Sequence, residues 1–517
     1  MNYLVAFGAL SGWALLSTPT TVCAAGQPQL RSGHTSPESK SATREIETFV
    51  VSPNDTADND NHHETDDRRL VSMMYDRPSC NIDVESQSCL DNATPLSSLI
   101  ELAEASGSSS SRVIVPCNTC AYVDITDGST ITLPAGLDIV GRLSFPSTAN
   151  LILSTQSIFI QGILDMVKPN MGNKVTVSLY GEEEDAYFYP HDACDGGYDV
   201  ACGARANVGK KPIVIAGGKL NINAWDPSCP SWTKLKFKLS NTQLHVDPSF
   251  ASCLRPGDKL LVTSDNEEWA NDMVRVVSNV NNVKGHVVLT VPITRPLPGL
   301  EGPYEPEYAV EVASLTRDVV FEGQEDSDVG AHFIVFHTNW VPQIIVGAQF
   351  NNMGQRGVLG RYPIHFHMSG STPSGTNSRV SKNVITNSNQ RCVFIHNTNG
   401  VQVIDNVAYN TRGHCYATET GNERYNRFEN NLGARTRLLG AWNGQSDSLN
   451  FQTKHIAATY WVRSMKNEFV GNVAAGSEGC GWWLEMSDKK SDQLYLEPVS
   501  SFRDNVAHSN KEQGLTT

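Results

Sequence analysis

The residues best equipped for chemistry lie in Gly360-Arg361-Tyr362-Pro363-Ile364-His365-Phe366-His367-Met368. Strand side chains alternate between faces, so His365 and His367 project together while Ile364 and Phe366 take the opposite side. One face suits a core, and the other offers two imidazoles with Arg361 beside them. Histidine is scarce, 14 in 517 residues, yet seven fall between 332 and 455. Residues 329–466 also hold 13 Lys and Arg, ten of them Arg, against five Asp and Glu, in a chain of net charge −15. Planar guanidinium forks suit carboxylate, sulfate or phosphate. A solvated face with local ion pairs is the plain alternative.

A repeat gives these residues neighbours. Asn383-Val384, Asn406-Val407, Asn431-Leu432, Asn472-Val473 and Asn505-Val506 recur in similar surroundings, preceded by Gln349-Phe350. The first Asn-to-Asn interval, 23 residues, reads as a basal rung, and the longer intervals as rungs with loop insertions. Stacked asparagines at equivalent turns, each followed by a short apolar strand, are what a parallel β-helix needs. In that register Pro363-Ile364-His365-Phe366-His367, Cys392-Val393-Phe394-Ile395-His396, Cys415-Tyr416-Ala417-Thr418-Glu419 and Gly481-Trp482-Trp483-Leu484-Glu485 become equivalent. His367, His396, Glu419 and Glu485 then share an outward, solvent-facing side, with His365 and Trp483 beside them.

Two chemistries fit this ladder. In the first, Glu419 and Glu485 are the carboxylates of a glycosidase-type acid/base pair polarised by His367 and His396. Arg361 and Arg391 then hold substrate anions, His414 lines the groove, and Trp483 stacks on a sugar ring. In the second, His365, His367, His396 and Glu419 ligate a divalent metal. Cross-strand surface pairing is the reading that needs no function. Cys392 and Cys415 stack in register, as a disulfide or as a buried thiol pair.

The elements that must position these groups are short. Charged residues make up 18% of the chain, with 40 Gly and 25 Pro, which suits an all-β extracellular protein. The acidic balance argues against nucleic acid as a partner. Residues 1–25 read as a secretory signal, with an uncleaved anchor as the alternative, and no later stretch is apolar enough to span a membrane. Residues 26–88 read as a polar linker that is disordered over most of its length, and a short helix is expected over 96–105. From 112 onward brief β runs at 129–133, 137–143, 151–153, 158–164 and 174–179 suggest a β-sandwich or β-coil module, and further runs continue to about 310. An acidic insertion (Glu182, Glu183, Glu184, Asp185, Asp192, Asp195, Asp199) could bind calcium or remain a solvated loop. Sequons at Asn54 and Asn92 fit a glycoprotein. Local disulfides are expected for Cys80–Cys89, Cys117–Cys120, Cys194–Cys202 and Cys229–Cys253.

At this point the sequence resembles a known family. Gly354-Gln355 followed by Val358-Leu359-Gly360-Arg361-Tyr362-Pro363-Ile364-His365-Phe366-His367 is similar to the signature of the cell migration-inducing and hyaluronan-binding protein and of transmembrane protein 2, the cell-surface hyaluronidase. The likeness continues through Arg391-Cys392-Val393, Gly413-His414-Cys415 and Asn472-Val473-Ala474-Ala475-Gly476-Ser477-Glu478. Upstream, Leu133-Pro134-Ala135-Gly136 through Gly141 and Gly162 resembles a G8 domain. The resemblance implies an all-β chain: a G8 domain over 89–220, a β-rich connection over 221–310 and a right-handed parallel β-helix over 311–517. It also implies a secreted, hyaluronidase-like glycoside hydrolase acting on an acidic polysaccharide such as hyaluronan. A non-catalytic glycan-binding or adhesion module and a β-helix polysaccharide lyase are the alternatives. The chain stops partway through a rung, as a fragment would.

Overall fold

A computed structural model describes residues 5–6, 83–105, 112–181, 187–189, 206–301, 309–325, 327–336, 338, 341–371, 377–440, 457–485 and 499–516. Three sheets of eleven strands each run the length of the molecule, and a seven-stranded sheet is inserted within one rung, between its second-sheet and first-sheet strands. Apart from Val5–Ala6, which pairs antiparallel with Val506 and Ala507, neighbours within the three long sheets are parallel. This is a right-handed parallel β-helix, the hand that parallel crossovers adopt. Each rung visits the third sheet, then the second, then the first, as in Leu137–Ile139, Arg142–Phe145 and Leu151–Thr155.

The rungs begin much earlier than the sequence repeat implied. Thr94–Pro95 and Val113–Val115 already belong to the second and third sheets. The β-sandwich suggested for the 112–179 region is therefore corrected to the first rungs of the same helix. The expected runs 137–143 and 158–164 each break into two strands at Gly141 and Gly162. A Cβ on Gly141 would run into the carbonyls of Pro116 and Thr119, and one on Gly162 into that of Gly141. Glycine is needed because successive corners lie directly on one another. The helix expected over 96–105 forms as Leu96–Ala105 and buries Leu96 and Leu99.

Inside the helix the inward positions form one apolar core, to which Ile364, Phe366, Val393, Ile395, Tyr416 and Trp482 contribute. At the corner between second and first sheets stand Asn383, Asn406, Asn431, Asn472 and Asn505, all fully buried. From Asn406 onward the side-chain oxygen of each accepts from the backbone N–H and the side-chain amide of the Asn before it, as from Asn383 to Asn406 at 3.0 Å and 3.0 Å, while that of Asn383 accepts from the Ala348 N–H. The repeat is displaced by one residue at its start. Gln349 pairs with Val384, so Ala348 occupies the asparagine position.

The inserted sheet spans Trp232–Lys234 to Glu311–Ser314, is antiparallel, and has its own core around Leu244, Phe250, Leu260 and Val287. It packs on the outside of the first sheet through Trp232, Leu261, Ala313, Val407 and Leu432. Polar ties reinforce the seam: Trp232 donates to Asn430 at 2.8 Å, Tyr409 to Asp272 at 2.7 Å, and His508 lies 3.0 Å from Glu311.

Two expected disulfides are redrawn, because Cys89 bonds Cys120 across 31 residues and leaves neither for Cys80 or Cys117. Cys117 and Cys480 are also disulfide-bonded, Cys229–Cys253 forms as expected, and Cys392–Cys415 is a bond rather than a thiol pair. The linker up to residue 82, the acidic residues of the insertion from 182 to 199, Cys194–Cys202, Asn54 and all of the leader except Val5–Ala6 lie outside the described residues, whereas the end of the expected linker is ordered, with Val84 buried and Ser86 capping a short helix at Gln87–Asp91. No helix among the described residues is long and apolar enough to cross a membrane.

Candidate functional site

Three consecutive strands of the third sheet, Ile364–Ser371, Val393–Asn399 and Tyr416–Thr418, carry the expected ladder in the expected register. His367 pairs with His396, and the following strand continues the column to Glu419. The Nδ1 atoms of His367 and His396 are 3.1 Å apart, and Glu419 Oε2 lies 3.3 Å from His396 Nδ1. His365 stands beside them, its ring centroid 5.1 Å from that of His367. Its Nδ1 bonds the carbonyl of Gly360 at 3.0 Å, so its Nε2 faces inward and has no partner among the described residues. Burial, reinforced by the neighbouring His396, holds the His365 imidazole well below its ordinary pKa, which keeps it neutral.

The sequence placed this face in solvent, and that is corrected. His365 is 1% exposed, His396 6%, His367 9% and Trp483 5%. Tyr362, Phe394, Trp461 and Trp483 form an aromatic layer on the outward side of the sheet. Trp483 is therefore a wall 6.0 Å from Trp461 and not an open stacking platform. Glu419, with 28% of its side chain exposed, and Glu485, also partly exposed, meet solvent.

A rung absent from the sequence alignment, Ala458–Val462, lies between the strands bearing Glu419 and Glu485. Arg463 thus takes the position between the two carboxylates, and Glu485 accepts instead from Trp461 Nε1 at 2.7 Å. The apolar alternation of Ala458, Tyr460 and Val462 was the available signal for this rung.

Arg391 is 2% exposed and pressed against Phe394, Tyr362 and Trp461, with its guanidinium carbon 4.0, 4.9 and 5.4 Å from those rings. Its Nε and Nη1 have no hydrogen-bond partner among the described residues. His414 is fully buried and stacks 4.7 Å from Trp461; its Nδ1 accepts from Ala458 N–H at 3.2 Å, and its Nε2 is unpartnered. Burial, then the charge of Arg391, holds the His414 imidazole well below its usual pKa. The Tyr362 hydroxyl, also unpartnered, is pushed up to about 12 by burial. Arg361 turns away from the ladder and donates through Nη2 to the carbonyl of Asn207 at 2.7 Å, and burial lowers it to about 10. Sequence reasoning missed Tyr362 and Trp461, which carry no charge to advertise them. It also missed Phe336, stacked 5.4 Å from His367.

Comparison with known proteins agrees with this architecture. Residues 328–515 match the family described as CEMIP beta-helix, and residues 103–236 match the G8 domain. The chain is 28% identical to communication mutant protein F of Dictyostelium discoideum over 387 residues, which cover 68% of this chain and 32% of that protein. It is 29% identical to the human cell surface hyaluronidase CEMIP2 over 248 residues, 40% of this chain and 18% of that one. The chain spans about a third of the length of the first of these relatives. A tailspike of Acinetobacter baumannii bacteriophage AP22, solved with a capsular saccharide, aligns over 83% of this chain and 70% of its own. Its identity is 10% and its TM-score 0.15, which carries no argument.

Proposed function

Because this chain joins a G8 domain to a CEMIP β-helix, we propose that the outer face of its third sheet binds an acidic, hyaluronan-like polysaccharide outside the cell and cleaves it by endo-hydrolysis. The observation that carries the reading is the line His367, His396, Glu419 beside a buried Arg391 that has no ion-pair partner among the described residues. Similarity to a protein called a cell surface hyaluronidase supports the choice of glycan. In this reading Arg391, 2% exposed and without a carboxylate partner among the described residues, receives the carboxylate of a uronate, while the fully buried His414 backs the same aromatic wall. Glu419 is the group that exchanges a proton at the glycosidic oxygen, because it is the member of the line that meets solvent. His396, 3.3 Å away, orients its carboxyl, and His367 fixes His396. Glu485 is the second carboxylate. Two rungs separate it from Glu419, roughly 10 Å between backbones at the usual strand spacing, a distance nearer to inverting than retaining geometry.

Product analysis on a panel of acidic glycans tests the reading. New reducing ends without unsaturated uronate absorbance are expected. Unsaturated ends would mark a lyase, and a bound glycan of unchanged length would leave an adhesion module. Glu419→Gln should lower turnover by roughly a thousandfold, as loss of a general acid or base does, while glycan binding survives. Unchanged turnover in that variant removes Glu419 from the chemistry.

A further inference from the structure

Three atoms that can each offer a lone pair converge at the ladder, at spacings that suit a positive centre among them. His367 Nδ1, His396 Nδ1 and Glu419 Oε2 are spaced 3.1 and 3.3 Å along the line. One proton can bridge one of these gaps, but His396 Nδ1 cannot donate fully to both neighbours at once. Donor atoms held about 2.0–2.2 Å from a divalent transition ion lie roughly 2.9–3.5 Å from one another. Both spacings fall in that window.

His365 supplies the second observation. It is 1% exposed, and its Nε2 has no partner among the described residues. Its other nitrogen bonds the Gly360 carbonyl at 3.0 Å, the support that orients ligating histidines and fixes the nitrogen left free. Gly360 sits at φ +76°, which aims that carbonyl back at the ring. One donor nitrogen from each of His365, His367 and His396 lies within 4.8 Å of the other two.

We propose that His365, His367 and His396 hold a divalent first-row transition ion of the zinc class, with Glu419 left on its solvent side and outside the ligand set. Imidazole nitrogen selects such ions. Calcium, which takes six to eight oxygens, is excluded from this site by the donor set. The inference deepens the glycan reading of this face, but its geometry stands without the glycan.

The test uses the full chain, stripped with dipicolinate, dialysed, and titrated with zinc and with cobalt(II) in the absence of any polysaccharide. One equivalent of tightly held metal and the visible absorption of low-coordinate cobalt with nitrogen ligands are expected. His365→Ala and His396→Ala, checked by far-ultraviolet circular dichroism, should lose roughly a hundredfold or more in affinity. The wild-type titration decides the matter even if a histidine variant does not fold. Wild-type protein that retains less than a tenth of an equivalent of either metal overturns the site, as does undiminished binding in a folded His365→Ala. Metal binding without glycan cleavage would leave this inference and remove the hydrolase. Cleavage by metal-free protein that also fails to bind metal would do the reverse.

Discussion

Arg391 is the residue where charge and surroundings disagree most. A buried guanidinium against three rings, without a carboxylate partner among the described residues, carries a desolvation cost of several kcal/mol. Cation–π contact offsets about 2 kcal/mol of that. Replacement by an apolar residue of similar length should therefore leave the fold intact. Arg391→Met is expected to melt at or above the wild-type temperature, yet to bind carboxylated oligosaccharides ten- to a hundredfold more weakly, about 1.5–3 kcal/mol for a lost charged hydrogen bond. Calorimetry and glycan titration read the two effects separately. A melting temperature well below wild type would make Arg391 a structural group. At this scale His365, His367, His396 and Glu419 were legible because strand alternation and the 23-residue interval suffice to stack them. The burial of the face was not, since nothing in a strand pattern says what lies over its outer side. The fate of Arg361 was hidden for the same reason, because Asn207, its partner, is 154 positions away.

At the scale of the element, the asparagine corner explains why the register holds. Asn406 donates to the Val380 carbonyl at 2.9 Å while its oxygen accepts from Asn383, and its own N–H is met by Asn431 at 3.1 Å. Asn406→Ala would strand a buried N–H and a buried carbonyl, each costing about 1–3 kcal/mol. A loss near 3 kcal/mol is expected in urea unfolding, with Asn431→Ala less than additive because the two share one network. A loss below 1 kcal/mol would mean that the corner relaxes around water. The Asn repeat made these rungs readable. The rungs before residue 319 lack that asparagine, and their recurring mark is glycine at a different corner, from third to second sheet, at Gly141 and Gly162, so no side chain marked their period and the helix looked shorter than it is. The rung at Ala458–Val462 also escaped, because Trp461 and Val462 read as one apolar run rather than alternation.

For the whole molecule, the inserted sheet is fastened to the last rungs by one buried ionic cluster. Glu311 is fully buried; His508 lies 3.0 Å from it, Thr263 donates at 2.8 Å and Lys234 stands 3.9 Å away. Burial alone would raise the Glu311 carboxyl, but His508, Lys234 and Thr263 together hold it below its ordinary value. A carboxyl with a depressed folded pKa adds stability above its unfolded pKa, about 4.3, and loses it as pH falls through the folded value. Wild-type melting temperature should therefore drop between about pH 5 and 3 more steeply than that of Glu311→Gln, which starts lower at pH 6. Parallel slopes in scanning calorimetry would show that this cluster does not couple the sheet to pH.

The path of the chain between Lys219–Asn223 and Val319–Gly323 has a consequence for how such a molecule can change. Tying off a loop costs entropy that grows only with the logarithm of its length, about 0.6 kcal/mol for each doubling. Once each of these two strands is held by the rungs on either side of it, the excursion joining them is nearly free to lengthen or to acquire a fold of its own. The ladder of donors on the third sheet can thus stay fixed while the segments between rungs are rewritten, and new specificity can be grafted around an unchanged row of side chains.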